Sequence, residues 1–309
     1  MTERPPTIDP IAAARWARHA PAQSPWLHEE IARRMEGRLQ WIVARPQRWA
    51  HWEPLRGGLQ AHTLLSQRYP QAQCYVVTEL TQHAEITRQA LARPWWSPAR
   101  WSHKAAQFVP LEHPVQMLWA NMALHMAADP QALIERWHAM LDVDGFLMFS
   151  CLGPDTVVQL RRLYAEAGWP APGHQFTDMH DWGDMLVRAG FAEPVMDMER
   201  ITLTYTSPQT LLEELRGLGR NLHPARFPAL RGRAWKAQLE AALETQLSAV
   251  RHDGRLELTF EINYGHAFKP VPKLHVKPQT SLSLEEMRRT LKRSASGVSG
   301  VSLPLPKLR

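Results

Sequence analysis

The sequence predicts an α/β fold: a mostly parallel sheet with helices on both faces, an antiparallel last strand and a helical segment ahead of the sheet. Three observations carry this. From Trp49 onward, short apolar and β-branched runs alternate with amphipathic helical stretches, as in strands joined by crossover helices. A glycine pair, Gly57-Gly58, follows the first such run, and an acid, Glu79, ends the second. Two long alternating segments, 194–205 and 255–268, close the pattern and suit an antiparallel edge on an otherwise parallel sheet.

The elements follow in order. Residues 8–20 read as a helix with Asp9 as its cap and Pro10 in its first turn. Residues 26–43 place Leu27, Ile31, Met35, Leu39 and Ile42 on one helical face, with Arg33, Arg34 and Arg38 on the wet side. Trp49–Trp52 is a strand ending at Glu53; a helix through Leu64, Leu65 and Tyr69 follows the glycine turn and stops at Pro70. Residues 74–78 are a buried strand with Glu79 at its carboxyl end, and after Glu79 a helix runs through about residue 91. Residues 93–104, with two prolines and three tryptophans, read as a rigid aromatic loop, either a Trp cluster packed over a sheet edge or a stacking wall near a ligand's base. Residues 105–110 make a poor strand and 115–121 a better one, ending at Asn121. A helix over 130–141 turns inward Leu133, Ile134, Trp137 and Leu141, and the turn 142–145 leads to the apolar strand FLMFSCLG. Helices are predicted over 155–168, 178–190, 208–218 and 232–250.

Composition narrows the function. The chain has 309 residues, 44% hydrophobic and 21% charged, enough for one large core. No apolar run reaches membrane length, and the polar, Pro-rich start resembles neither a signal peptide nor an anchor, so a cytoplasmic protein is expected. Cys74 and Cys151 each fall in a predicted strand and read as reduced core thiols. The net charge of +6 belongs to residues 270–309, where four Lys and four Arg face two Glu; the first 269 residues sum to zero. A nucleic-acid-binding face on the folded body is therefore not expected, and the basic tail reads as a solvated, disordered extension or as a segment that touches anionic partners. No P-loop, no GxSxG elbow, no HExxH and no paired cysteines occur, so neither a metal site nor those chemistries are expected.

A strand, a glycine turn, a helix and a second strand ending on an acid make a nucleotide-type site: glycine admits a ligand to the backbone, and the acid takes ribose hydroxyls. The three-glycine spacing is broken by Leu55 and Leu59. Further segments carry a family resemblance: QMLWANMALHMAADPQALIERWHAML, then DGFLMFSCLGPDTVVQLRRLY, then DMHDWGDMLVRAGFAEPVMDMERITLTY, then LLEELRGLGRN. Over roughly residues 8–268 the chain resembles the class I S-adenosylmethionine-dependent methyltransferases, and among them the malonyl-ACP O-methyltransferases of biotin synthesis. The GPDT…LR block and the block from Asp178 to Asp197 are its most specific parts.

The resemblance implies a Rossmann-like fold with a seven-stranded sheet. It implies an N-terminal helical lid over residues 1–45, a methyltransferase-like domain over 46–269 and the tail over 270–309. It implies S-adenosylmethionine as cofactor, with Glu53 as the motif acid, Gly57 and Gly58 at the turn, Glu79 as the ribose acid and Asn121 where methyl donor and acceptor meet. An acyl carrier protein or a small acyl substrate is the implied partner. Methyl transfer to a carboxylate needs no general base, since the nucleophile is already ionised near neutral pH, so no catalytic residue is assigned. An anionic acyl group would want a cation; the candidates are Arg15, Arg18, Arg161 and Arg216, with His125 four residues beyond Asn121. The eroded glycine turn leaves a second reading open, a non-catalytic binding or assembly module that keeps the fold.

Overall fold

The computed structural model describes residues 8–19, 23–92, 104–248 and 253–272. The aromatic loop predicted over 93–104 lies almost wholly outside these, and so does the tail beyond residue 272. Six strands form one sheet in the order β2-β1-β3-β4-β6-β5. Helix α1 (Pro10–Ala17) starts at Asp9, whose carboxylate accepts from the amides of Ile11 and Ala12. Helix α2 (Trp26–Arg38) runs into a single 3-10 turn, Leu39–Trp41. Its Leu27, Ile31, Met35 and Leu39 are buried at the expected spacing. Arg34 and Arg38 are not simply its wet face. Arg34 pairs with Glu199 at 3.0 Å, and Arg38 pairs with Asp197 at 2.7 Å and lies 3.7 Å above the Tyr264 ring. These contacts clip α2 across the far strands of the sheet.

Strand β1 (Arg48–Trp52) is followed by a one-turn helix, α3 (Pro54–Gly57), then α4 (Gln60–Arg68), β2 (Gln73–Val77) and α5 (Thr81–Leu91). Next come β3 (Val115–Ala120), α6 (Pro130–Met140), capped by Asp129, and β4 (Leu141–Leu152). The expected turn at 142–145 lies inside β4. The register jumps from Val115↔Leu141 to Met117↔Phe146, so these residues form an irregularity that keeps pairing, with Asp144 at φ 62°. The remaining elements are α7 (Val158–Glu166), α8 (Met179–Arg188), β5 (Ala192–Tyr205), α9 (Pro208–Leu218), α10 (Arg233–Leu247) and β6 (Leu256–Phe268).

Two details differ from the sequence expectation. The poor strand over 105–110 is a single bridge, in which Gln107 donates to Cys74 and accepts from Val76, each at 2.8 Å. Pro110 and Pro114 remove the amides that a longer ladder would need, so among the described residues the sheet has six strands where seven were expected. The antiparallel strand is also not at the edge. β6 threads between β4 and β5, antiparallel to both, and β5 forms the edge.

The sheet is buried on both faces, and the alternation along each strand sorts its residues. Trp49, Met117, Trp119, Phe146 and Met148 join a core with α2, α4, α7 and α10. Ala50, Trp52, Leu118, Ala120, Leu147 and Phe149 join the other with α6 and α8. Residues 1–271 form one compact unit, so α1 and α2 belong with the sheet.

Candidate active site

The chain leaves β1 for β2 on one side and returns through β3 on the other. A crevice therefore opens at the carboxyl ends of these strands, where open α/β sheets bind ligands. A cavity of about 400 Å³ lies there. Trp52 and Glu53 from β1, Glu79 and Leu80 from β2, and Asn121 and Met122 from β3 line it. Trp16 and Ala17 of α1, His28 of α2, Arg136 of α6 and Leu218 of α9 complete its wall. Two lining residues, Glu53 (φ 45°) and Met122 (φ 54°), hold left-handed backbone that non-glycine residues rarely adopt. Such strain persists where surrounding structure over-determines it, and functional crevices are where it clusters.

Glu53 earns its conformation through its side chain. One carboxylate oxygen accepts the Glu79 amide at 2.5 Å and the other accepts His83 Nδ1 at 3.1 Å. Its own amide donates to Val77 at 2.8 Å. The acid at the end of β1 thus fixes where β2 ends and where α5 begins. Glu79 is half-exposed and pairs with Arg136 at 2.9 Å, while Arg136 lies 4.7 Å above the Trp52 ring.

Asn121 is buried, and its amide is committed within the chain. Its Nδ2 donates to the His28 carbonyl at 2.8 Å and to the Gly57 carbonyl, and its Oδ1 accepts from Ser150 at 2.5 Å. It ties β3 to β4, to α2 and to the glycine turn. Gly57 and Gly58 do not line the cavity. A Cβ on Gly57 would stand 2.7 Å from the Asn121 carbonyl, so glycine is needed there for packing of the chain on itself. Gly58 has φ 117° and faces Glu29. The first amides of α4 are also taken: Glu29 accepts from Leu59 at 2.8 Å and from Gln60 at 3.1 Å. A carboxylate from α2 occupies the helix N-terminus that a glycine turn otherwise offers to a ligand. Burial raises the pKa of Glu29 above the usual carboxylate range, against the lowering by these hydrogen bonds. Leu55, one of the residues breaking the glycine spacing, is fully buried.

The five cation candidates stand elsewhere. Arg15 and Arg18 are exposed on α1 and Arg216 is exposed on α9; none lines the cavity, though their neighbours do. Arg161 donates to the Pro154 carbonyl at 2.8 Å and lies 5.3 Å above the Phe176 ring. His125 packs edge-on against the same ring, and its carbonyl accepts from His174 at 3.0 Å. These groups brace a loop and a helix start outside the cavity lining. The cations in the lining are Arg56 and Arg136. Arg56 donates through one nitrogen to the carbonyls of Trp16, Ala17 and His19, at 2.5, 2.9 and 2.5 Å, and lies 4.9 Å above the Trp16 ring. It thereby caps the end of α1 and draws that helix over the crevice. Burial lowers its pKa. The visible signal for Arg56 was its place between Glu53 and the glycine pair; Arg136 and His28 had none, because only the fold brings their helices here.

His28 Nδ1 lies 2.7 Å from the Arg56 carbonyl, so that nitrogen carries the proton, while Nε2 is buried without a partner. Burial lowers the pKa of His28 to about 4. Among the described residues no group of three or more His, Cys, Asp or Glu is placed to hold a metal ion. No described helix is long and apolar enough to cross a membrane.

No protein-family model matches the chain. Curated relatives do. The malonyl-[acyl-carrier protein] O-methyltransferase of Laribacter hongkongensis is 38% identical over 259 residues, covering 80% of this chain and 84% of that protein. That of Gallionella capsiferriformans is 36% identical over 265 residues, covering 81% and 86%. Among solved structures, the YcgJ protein of Bacillus subtilis covers 78% of this chain and all of its own at a TM-score of 0.51 and 10% identity. A Bacillus halodurans protein described as a candidate methyltransferase covers 76% and 99% at 0.50 and 13%. Likeness at such low identity shows the Rossmann-like methyltransferase fold alone. The relatives, matched at more than a third identity over 80% or more of this chain and 84% or more of their own length, show that the chain belongs to the malonyl-[acyl-carrier protein] O-methyltransferase family.

Proposed function

We propose that the chain transfers a methyl group from S-adenosylmethionine to the free carboxylate of a malonyl group carried by acyl carrier protein. The observation that carries this is the crevice itself: Glu53, Glu79 and Asn121 line one cavity at the strand switch point of a chain in this family. Its volume lies within the ~300–1,000 Å³ of small-molecule sites. The residues fit the cofactor in charge: it is cationic, and two carboxylates, those of Glu53 and Glu79, line the cavity beside Trp16 and Trp52. Bound, it would supply an electrophilic methyl group. Glu79 would take the ribose hydroxyls. Glu53 would act mainly by fixing the ends of β1 and β2. Trp16, drawn in with α1 by Arg56, would exclude water and serve as the lid. Arg56 and Arg136 would bias the cavity toward an anionic acyl group. Both thiols are buried and unpaired, which supports the cytoplasm as the compartment.

The test is methylation of malonyl-ACP by the purified chain, read by intact mass, with S-adenosylhomocysteine titrated calorimetrically. Methyl ester formation and measurable heat are expected. A second reading, the non-catalytic module, has one observation in its favour: Glu29 and Asn121 fill the polar groups of the glycine turn. It predicts neither heat nor product, and it fails if the chain restores biotin-free growth to a strain lacking its own malonyl-ACP methyltransferase.

A further inference from the structure

The rim of the cavity carries a cluster of cations that the reaction chemistry leaves unused. On α1, Ala13, Trp16 and Ala17 line the cavity, while Ile11, Ala14, Arg15 and Arg18 are exposed. Those four positions share one helical face, so an apolar side chain sits among two guanidinium groups. On α9, Gly217 and Leu218 line the cavity and Arg216 is exposed, with Arg220 just beyond the helix. The two elements meet: Arg220 lies 5.2 Å above the Trp16 ring and donates to the Arg216 carbonyl. None of these four arginines is paired with a carboxylate among the described residues. Asp9 is engaged by Arg226 at 2.6 Å, and Glu213 and Glu214 line a separate shallow pocket with Pro25 and Trp26. Burial and the nearby Arg216 lower the Arg220 pKa, as expected where like charges are held together. Residues 1–269 sum to zero charge, so this positive field is local to the mouth of the cavity.

We infer that the exposed face of α1 and the end of α9 form the docking surface for the acidic face of an acyl carrier protein, seated so that its acyl arm enters the cavity between Trp16 and Leu218. The inference rests on the proposed methyltransferase reading and adds where the carrier binds. Charge complementarity selects the occupant: unpaired guanidinium groups around an apolar Ile11 fit an acidic, partly apolar helix face. The acidic carboxylates of the carrier would pair with Arg15, Arg18 and Arg216 without entering the cavity.

The experiment measures binding of malonyl-ACP to the full chain by biolayer interferometry at low and raised salt. It compares the wild type with R15E/R18E/R216E and R15K/R18K/R216K, and follows methylation of malonyl-ACP and of malonyl-CoA in parallel. The reversal variant is expected to weaken malonyl-ACP binding at least about tenfold, while the lysine variant stays within about threefold of wild type, because charge and not shape carries the contact. Methylation of malonyl-CoA and affinity for S-adenosylhomocysteine are expected to be unchanged in both. Equal binding by wild type and reversal variant overturns the docking surface, as does a parallel loss on both acyl substrates. A wild type that binds malonyl-ACP through these arginines yet methylates neither substrate keeps the docking surface and overturns the methyltransferase reading.

Discussion

Glu79 and Gly57 were both marked by sequence, yet they do different work. Glu79 lines the cavity with its carboxylate half-exposed and paired with Arg136, so under the proposed function its truncation removes a ribose contact. Glu79→Ala is expected to raise the dissociation constant for S-adenosylhomocysteine about tenfold or more by calorimetry, the worth of a charge-assisted hydrogen bond pair. Gly57 meets the Asn121 backbone instead. A backbone carbonyl cannot rotate away, so Gly57→Ala is expected to cost about 2 kcal/mol of stability in urea unfolding. His28 adds a pH dependence. Its pKa is about 4 in the fold against 6.5 in the unfolded chain, so between these values the unfolded state binds the proton and the native state does not. Stability therefore falls as pH drops from 6.5 toward 4, by on the order of 3 kcal/mol for this group. Burial pushes His51 and His125 in the same direction. Chemical unfolding of His28→Gln across that range is expected to show a shallower slope than the parent.

At the scale of elements, helix starts were legible because they rest on local chemistry. Asp9, Asp129, Asp178 and Ser207 accept from the first amides of α1, α6, α8 and α9. α4 has no local side-chain cap, and the acceptor for its first amides, the Glu29 carboxylate, comes from α2. Glu29→Ala is expected to destabilise the chain by about 1–2 kcal/mol in urea unfolding, the range for losing an N-terminal acceptor. The strand insertion of β6 could not be read in advance. Alternation shows that 255–268 has one buried period, but both an edge and an interior antiparallel site satisfy it. Pairing with β4 and β5 together decides, since it satisfies both sets of backbone groups.

For the molecule as a whole, alternation along the central strands builds two cores, one on each face of the sheet. Cys74 joins one and Cys151 the other. The sheet between them keeps the thiols apart, and burial raises the pKa of each. A thiol reagent is expected to label neither in the native chain and both after unfolding, with no cross-linked species on a non-reducing gel. The docking surface belongs to this scale too, because it needs α1 and α9, separated by about two hundred residues, to share one rim.

By itself the sequence determined the fold class, the family and the acids Glu53 and Glu79 just beyond the first two strands, because caps, periodicities and motif spacing are local along the chain. Only the tertiary structure decided that Glu29 fills the glycine turn, that Asn121 spends its amide on His28, Gly57 and Ser150, and that Arg56 and Arg136 are the arginines in the cavity lining. The reason is physical: each of these depends on where helices far apart in sequence come to rest against the sheet. That placement is set by burial of their apolar faces, which records that a helix packs but not which polar groups meet when it does.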